Sequence, residues 1–139
     1  MRVLALDPGS VRIGVALSDE LKLLASPQEH IPAEPFAGFL RRFKDLLREK
    51  EVDLVIVGMP RNMDGTYGDA AARVREFVSV LKEAVPIPIR TWDERLTSVQ
   101  ANRVLSQNKT RRDDRRKKVD GIAAAVLLQS YLDMQGLTG

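Results

Sequence analysis

The chain has 139 residues, 44% of them hydrophobic, which suits one domain spanning residues 1–139 with a sizeable core. It contains no cysteine and one histidine, His30, so disulfides and thiolate metal sites are excluded and a zinc site is disfavoured. A metal ion would instead lie among carboxylate oxygens, which suit Mg²⁺ or Mn²⁺. The apolar runs are too short to span a membrane, and Asp7 and Arg12 interrupt the first of them. We therefore expect neither a membrane segment nor a signal peptide.

The beginning of the chain predicts three strands. Residues 2–7 and 11–18 are apolar and are separated by a Pro-Gly-Ser turn, so they indicate a hairpin. The glycine within the second of them, Gly14, indicates either a bulge or a close approach to a ligand. Residues 22–31 form a third strand-like stretch, which Pro27 interrupts.

The middle of the chain predicts two helices around a buried strand. An amphipathic helix begins at Pro35, and residues 52–60 then form a short apolar run typical of a buried strand. A loop leads to Gly68, and a second helix follows it. The apolar positions that recur at helical spacing are Phe36, Phe39, Leu40, Phe43, Leu46 and Leu47 in the first helix, and Ala70, Val74, Phe77, Val78 and Leu81 in the second.

The last third predicts one more strand and two helices. Residues 87–94 form the strand, a capping box starts a helix near Ser98, and residues 114–134 form the final helix. The whole order favours an α/β fold with a mixed five-stranded sheet, antiparallel at first and then parallel through helical crossovers. In such sheets, sites form where the carboxyl ends of parallel strands meet.

Four acidic residues, at three places in the chain, stand where such a site would form. Asp7 ends the first strand, Asp93 and Glu94 end the last one, and Asp120 lies on the apolar stripe of the final helix. Converging carboxylates repel one another unless cations neutralise them, so this pattern favours a two-metal site of the kind that cleaves phosphodiesters. Taken singly, each acid has an ordinary alternative. Asp7 would cap its turn, Glu94 would form a surface ion pair with Arg95, and Asp120 would cap a helix.

A basic segment precedes the final helix. Residues 109–118 carry seven basic and two acidic side chains, a net charge of +5, whereas the whole chain carries +3. Such a block is typical of a nucleic-acid-binding surface, although a solvated loop has the same composition. The candidate phosphate-binding residues are Arg111, Arg112, Arg115, Arg116, Lys117 and Lys118. Arg61 and Asn62 are further candidates, because their loop follows the carboxyl end of the strand 52–60.

Four motifs together resemble one known family. LDPGSVRIGVALSD, VGMPRNMDGTYGDAAARVREF, WDERLTSVQA and KVDGIAAAVLLQSYLD are similar, in order and spacing, to the YqgF (RuvX-type) family of ribonuclease H-like nucleases. The resemblance covers nearly the whole chain. It implies a ribonuclease H-like fold, a cytoplasmic location, and an acidic triad at Asp7, Glu94 and Asp120 that holds Mg²⁺ or Mn²⁺, two ions in all. Asp93 belongs to the same motif as Glu94 but is the weaker candidate ligand.

The function that we expect is that of a metal-dependent nuclease acting on the 5′ end of the precursor of 16S ribosomal RNA. This substrate rests mainly on the family resemblance, and structured RNA is preferred to branched DNA. The alternatives are a Holliday junction resolvase, which requires a stable dimer, and a non-catalytic nucleic-acid-binding module. A phosphotransferase is disfavoured, because the similar sugar-kinase-like enzymes need two such domains. For the preferred function we expect a monomer or a weak homodimer.

Overall fold

The computed structural model of the chain describes residues 1–60, 68–94 and 112–138, and the side chains of these residues except 112–120 and 137–138. The strands are β1 (Arg2–Pro8), β2 (Arg12–Ser18), β3 (Ala25–Pro32), β4 (Val52–Met59) and β5 (Ile89–Asp93). They form one sheet in the order β3-β2-β1-β4-β5. The pairs β1–β2 and β2–β3 are antiparallel, whereas β1–β4 and β4–β5 are parallel. The predicted mixed five-stranded sheet is thus confirmed.

Three helices accompany the sheet in the described part of the chain. They are α1 (Phe36–Glu49), α2 (Asp69–Ala84) and α3 (Arg112–Thr138). The last is longer at both ends than the predicted 114–134, so that Arg112 already belongs to the helix. The helix predicted to begin near Ser98 lies outside the described residues.

The predicted third strand differs from β3 at its start. Residues 22–24 belong to a turn, because one carboxylate oxygen of Asp19 accepts hydrogen bonds from the backbone N–H groups of Leu23 and Leu24, at 2.8 and 3.0 Å. Pro27 does not interrupt the strand as predicted. It lies in β3 at an edge of the described sheet, where a missing N–H costs no ladder bond. Gly14 lies at a shift of register between β2 and β3, which supports the bulge.

Different helices cover the two faces of the sheet. Alternate residues of β1 and β4 point to opposite faces, so Leu6 and Val57 pack under α1 and α2, and Ala5 and Ile56 pack under α3. Both faces are therefore covered by apolar helix surface. Within the described residues, no helix combines the length and apolar character that crossing a membrane would require.

Helix α3 fits closely against β3. A Cβ atom placed on Gly121 would lie 2.5 Å from the backbone oxygen of Gln28, so only glycine allows this approach. Eight residues later, the side chain of Gln129 accepts a hydrogen bond from the N–H of Ala25 and donates one to the carbonyl of Leu23. The helix thus begins near the sheet edge where β1 ends and runs toward the β2–β3 turn.

Candidate active site

Two of the predicted acids, Asp7 and Glu94, are in contact. Asp7 is half-buried near the carboxyl end of β1, and Glu94 follows directly after β5. Their side chains share a hydrogen bond. The parallel register carries β1, β4 and β5 to the same edge of the sheet, as the sequence predicts for both acids.

Gly58 makes this contact possible, because β4 lies between the strands of the two acids. A Cβ atom on Gly58 would lie 3.2 Å from Oε1 of Glu94 and 3.1 Å from Cδ2 of Leu127. The missing side chain leaves the space through which the Glu94 carboxylate reaches over β4 toward Asp7. The signal in the sequence that could have identified this residue is a glycine inside the buried run VDLVIVGMP, which is a sign of close approach.

The electrostatics of the pair favour a bound proton or a cation. Burial raises the pKa of Asp7 above its ordinary value, and the hydrogen bond from Glu94 opposes this in part. Burial also raises the pKa of Glu94, and the charge of Asp7, their hydrogen bond and the charge of Asp93 raise it further. Glu94 is exposed as a residue, but its carboxylate turns back over Gly58, where it loses part of its contact with water. Among the described residues, no lysine or arginine forms an ion pair with either acid.

The third predicted acid, Asp120, lies in α3 directly before Gly121. Its side chain lies outside the described atoms, so its predicted convergence with Asp7 and Glu94 stays a prediction. The stripe on which the sequence puts it is a core face, because Ala124, Leu127, Leu128 and Tyr131 are all buried. Among the described side chains, no group of three or more acids and histidines could hold a metal ion. The described part of the site is therefore the Asp7–Glu94 pair.

Trp92 fixes the end of β5 that leads to Glu94. Its ring meets Tyr131 of α3 edge to face, with 5.1 Å between ring centroids, and its indole N–H lies 3.5 Å from the hydroxyl of Ser130. These contacts pack Trp92 against the core between β5 and α3. Helix α3 thereby anchors β5 two residues before Glu94.

None of the predicted nucleic-acid-binding residues has a described side chain. Arg61, Asn62 and Arg111 lie outside the described residues. The backbone of α3 carries the others, whose side chains are not described: Arg112, Arg115, Arg116, Lys117 and Lys118. Most of the basic block is thus part of the same helix as Asp120. The alternative partner of Glu94, Arg95, also lies outside the described residues.

Comparison with known proteins identifies relatives over nearly the full length. The model of the RuvX family, described as Holliday junction resolvase, matches residues 1–134. A protein of Halothermothrix orenii is 42% identical over 135 residues, which cover 97% of this chain and 96% of the relative. One of Symbiobacterium thermophilum is 46% identical over 133 residues, 96% of this chain and 92% of the relative. Both carry the name "Putative pre-16S rRNA nuclease".

A solved structure of RuvC from Thermus thermophilus has the same fold. It superposes with a TM-score of 0.61 at 15% identity, and the match covers 97% of each chain. The predicted ribonuclease H-like fold is confirmed by this likeness, which at such low identity concerns the fold alone.

Proposed function

This chain belongs to the RuvX family, and on that premise we propose that it is a nuclease whose divalent metal ions are held by Asp7, Glu94 and Asp120. It hydrolyses phosphodiester bonds. The single observation that carries the proposed metal site is the hydrogen-bonded Asp7–Glu94 pair, which stands at a sheet edge without a basic partner among the described residues.

The donor set fits a hard divalent cation. Two carboxylates lie side by side with raised proton affinities, and a cation between them would relieve both the repulsion and the loss of hydration. Gly58 leaves open the space beside Glu94 that a Cβ atom would fill. Carboxylate oxygens are the ligands that Mg²⁺ and Mn²⁺ prefer, and we propose two ions by analogy with other phosphodiester-cleaving sites. Asp120 is the third ligand in this proposal, because its helix begins at the same edge of the sheet.

The residues of the chain have distinct tasks in the reaction. Bound divalent ions would supply Lewis-acid stabilisation of the phosphate and a water of lowered pKa. Asp7 holds its carboxylate in a fixed position, because β1 is hydrogen-bonded on both sides. A proton on either carboxylate would occupy an oxygen that a cation uses, so metal binding competes with protonation. The tight turn at Gly9, whose N–H donates to the carbonyl of Arg12 at 3.1 Å, keeps the backbone beside Asp7 close and compact.

The substrate that we propose is the 5′ end of the precursor of 16S ribosomal RNA. The names of the full-length relatives support this choice. The basic residues at the start of α3 would hold the phosphate backbone next to Asp120, since clustered lysine and arginine replace the counterions of nucleic acid. These assignments extend the site from the acid pair to the beginning of α3.

A second candidate function is the resolution of Holliday junctions. The description of the RuvX family favours it, and the chain shares its fold with RuvC. A resolvase cuts two strands symmetrically and therefore requires a dimer with two active sites. A nuclease that trims precursor RNA can act as a monomer or a weak homodimer.

Cleavage assays with purified protein test the proposal. The substrates are the precursor of 16S ribosomal RNA, a single-stranded DNA and a four-way DNA junction, each with Mg²⁺ or Mn²⁺. We expect cleavage of the RNA by the wild type and none by Asp7→Asn. The matched control is Asp45→Asn, which makes the same chemical change in α1, where Asp45 pairs with Arg48 away from the site. Symmetric cuts in the junction without action on the RNA would instead support the resolvase, and equal RNA cleavage by Asp7→Asn would contradict the proposed site.

A further inference from the structure

A groove of about 410 Å³ runs from the β1–β2 turn between α1 and α2 to Glu94. Its volume lies in the range of pockets that enclose small organic ligands. The residues that define it are Pro8, Ser10, Phe36, Arg73, Phe77 and Glu94. It therefore reaches Glu94 of the acid pair, and it lies beside the sheet face that α1 and α2 cover, opposite to α3.

One wall of this groove is aromatic. Phe36 and Phe77 meet nearly at right angles, with 6.3 Å between their ring centroids. Both are only partly buried, whereas Phe39 and Phe43, further along α1, are fully enclosed in the core. The two partly exposed rings thus offer an apolar aromatic surface toward the groove, and such surfaces stack on nucleobases of any sequence.

Arg73 of α2 adds a positive charge to the groove. Its side chain is exposed, lines the groove, and makes no ion pair with another described residue. A guanidinium group in such a position is suited to a phosphate oxygen. Glu34 also lines the groove. Its carboxylate disfavours a bare anion, but it can accept a hydrogen bond from the amino group of a base.

We propose that this groove binds one unpaired nucleotide of the substrate strand, beside the phosphate that is cleaved at Asp7 and Glu94. The base lies against Phe36 and Phe77, and Arg73 contacts the phosphate of that nucleotide. A paired base cannot enter, because it would first have to leave its duplex stack. The cleaved strand is therefore single-stranded on this side of the cut. The inference rests on the proposed function, since it assumes that a nucleic-acid strand is cleaved at the acid pair.

The test is a binding measurement by fluorescence anisotropy, with Ca²⁺ in place of Mg²⁺. The probes are a short labelled single-stranded RNA, the same strand in a duplex, an abasic strand of equal length, and a free nucleoside monophosphate. We expect the single strand to bind more tightly than the duplex or the abasic strand, and the monophosphate to bind weakly at most. Equal affinity of the wild type for the base-bearing and abasic strands would overturn the proposal, and so would tighter binding of the duplex.

Variants locate the effect in the groove. Phe36→Leu should weaken binding of the single strand about tenfold and leave the abasic strand unaffected, whereas Phe36→Trp should bind like the wild type. Arg73→Ala should weaken binding about threefold and reduce its salt dependence. Its matched control, Arg41→Ala, removes the same charge from α1 outside the groove and should change neither quantity. Wild-type binding by both Phe36→Leu and Arg73→Ala would contradict the assignment.

The binding measurements test the groove independently of the proposed nuclease function. If the wild type fails to cleave with Mg²⁺ but the groove variants bind as expected, the nuclease proposal is wrong and the nucleotide site remains. If the wild type cleaves but the variants bind normally, the groove assignment is wrong and the nuclease proposal remains. A thermal melt of each variant shows whether a loss of binding comes from unfolding, and the abasic comparison uses the unaltered protein.

Discussion

Glu94 donates a hydrogen bond to Asp7 across Gly58, although the two acids follow strands that are not neighbours in the sheet. The strand between them contributes to the site only by having no side chain at this position. The two carboxylates are thus brought together before any cation binds, and burial and the charge of Asp7 raise the pKa of Glu94. From this contact we predict how stability depends on pH, what a substitution of Gly58 does to cleavage, and which variant loses metal binding.

The metal-free protein should lose stability as the pH rises through the titration of the pair. Burial raises the pKa of Asp7 and of Glu94, so both bind protons more tightly in the folded chain than in the unfolded one. Their contribution to stability is therefore present at low pH and is lost as the pH passes their raised pKa values. We expect Asp7→Asn to be more stable than the wild type above that range and equal to it well below.

Denaturant unfolding in EDTA at a series of pH values measures this difference. The control is Asp45→Asn, which makes the same substitution away from the acid pair. A stability advantage of Asp7→Asn that is constant from low to neutral pH would contradict the raised pKa of the two acids.

Gly58→Ala should reduce cleavage far more than it reduces stability. The added Cβ atom would lie 3.2 Å from Oε1 of Glu94, so the carboxylate has to shift by a few tenths of an ångström. Small displacements of catalytic groups cost up to about a hundredfold in rate. The matched control is Gly38→Ala in α1, whose Cβ atom would lie at an ordinary 3.6 Å from Pro35. That change should leave cleavage intact.

The same Cβ atom would also approach Leu127, so a second variant separates packing from positioning. Gly58→Ala combined with Leu127→Ala removes the packing contact but leaves the displacement of Glu94. We expect the double variant to remain as inactive as Gly58→Ala. Recovery of activity in the double variant would show that packing against α3, not the position of Glu94, is responsible.

Gly121→Ala should destabilise the fold. Its Cβ atom would lie 2.5 Å from the backbone oxygen of Gln28, so α3 has to move away from β3. Such overpacking costs about 1–3 kcal/mol, which exceeds the gain of about 1 kcal/mol in helix propensity. The control is Gly136→Ala in the same helix, where nothing lies within 4 Å of the added atom. In chemical denaturation, Gly121→Ala should lower the free energy of unfolding and Gly136→Ala should raise it. A stabilising effect of Gly121→Ala would count against the close packing of α3.

Much of this fold follows from patterns in the chain. The continuous apolar runs of β1 and β4 are typical of strands covered on both faces, and the apolar positions of α1 are those that its helical spacing indicates. The carboxyl-terminal positions of Asp7 and Glu94 predict a common sheet edge. The structure confirms their meeting because the parallel register sets both at that edge.

Other features depend on interactions that strand and helix patterns do not contain. The start of β3 is set by the side chain of Asp19, which ties residues 23 and 24 into a turn. The role of Gly58 requires the order of the strands, because it depends on β4 lying between the two strands that carry the acids. The close packing of Gly121 likewise requires knowledge that α3 lies on β3. In the two glycine cases, the decisive contact joins residues far apart in the sequence.

Titration of the protein with Mn²⁺, by calorimetry in metal-free buffer at neutral pH, tests most directly whether the acid pair holds the catalytic metal. Wild type, Asp7→Asn and Asp45→Asn are compared. Loss of one carboxylate ligand should reduce Mn²⁺ affinity by at least about tenfold. We therefore predict saturable binding by the wild type and by Asp45→Asn, and much weaker binding by Asp7→Asn. Equal Mn²⁺ affinity of Asp7→Asn and the wild type would contradict the account.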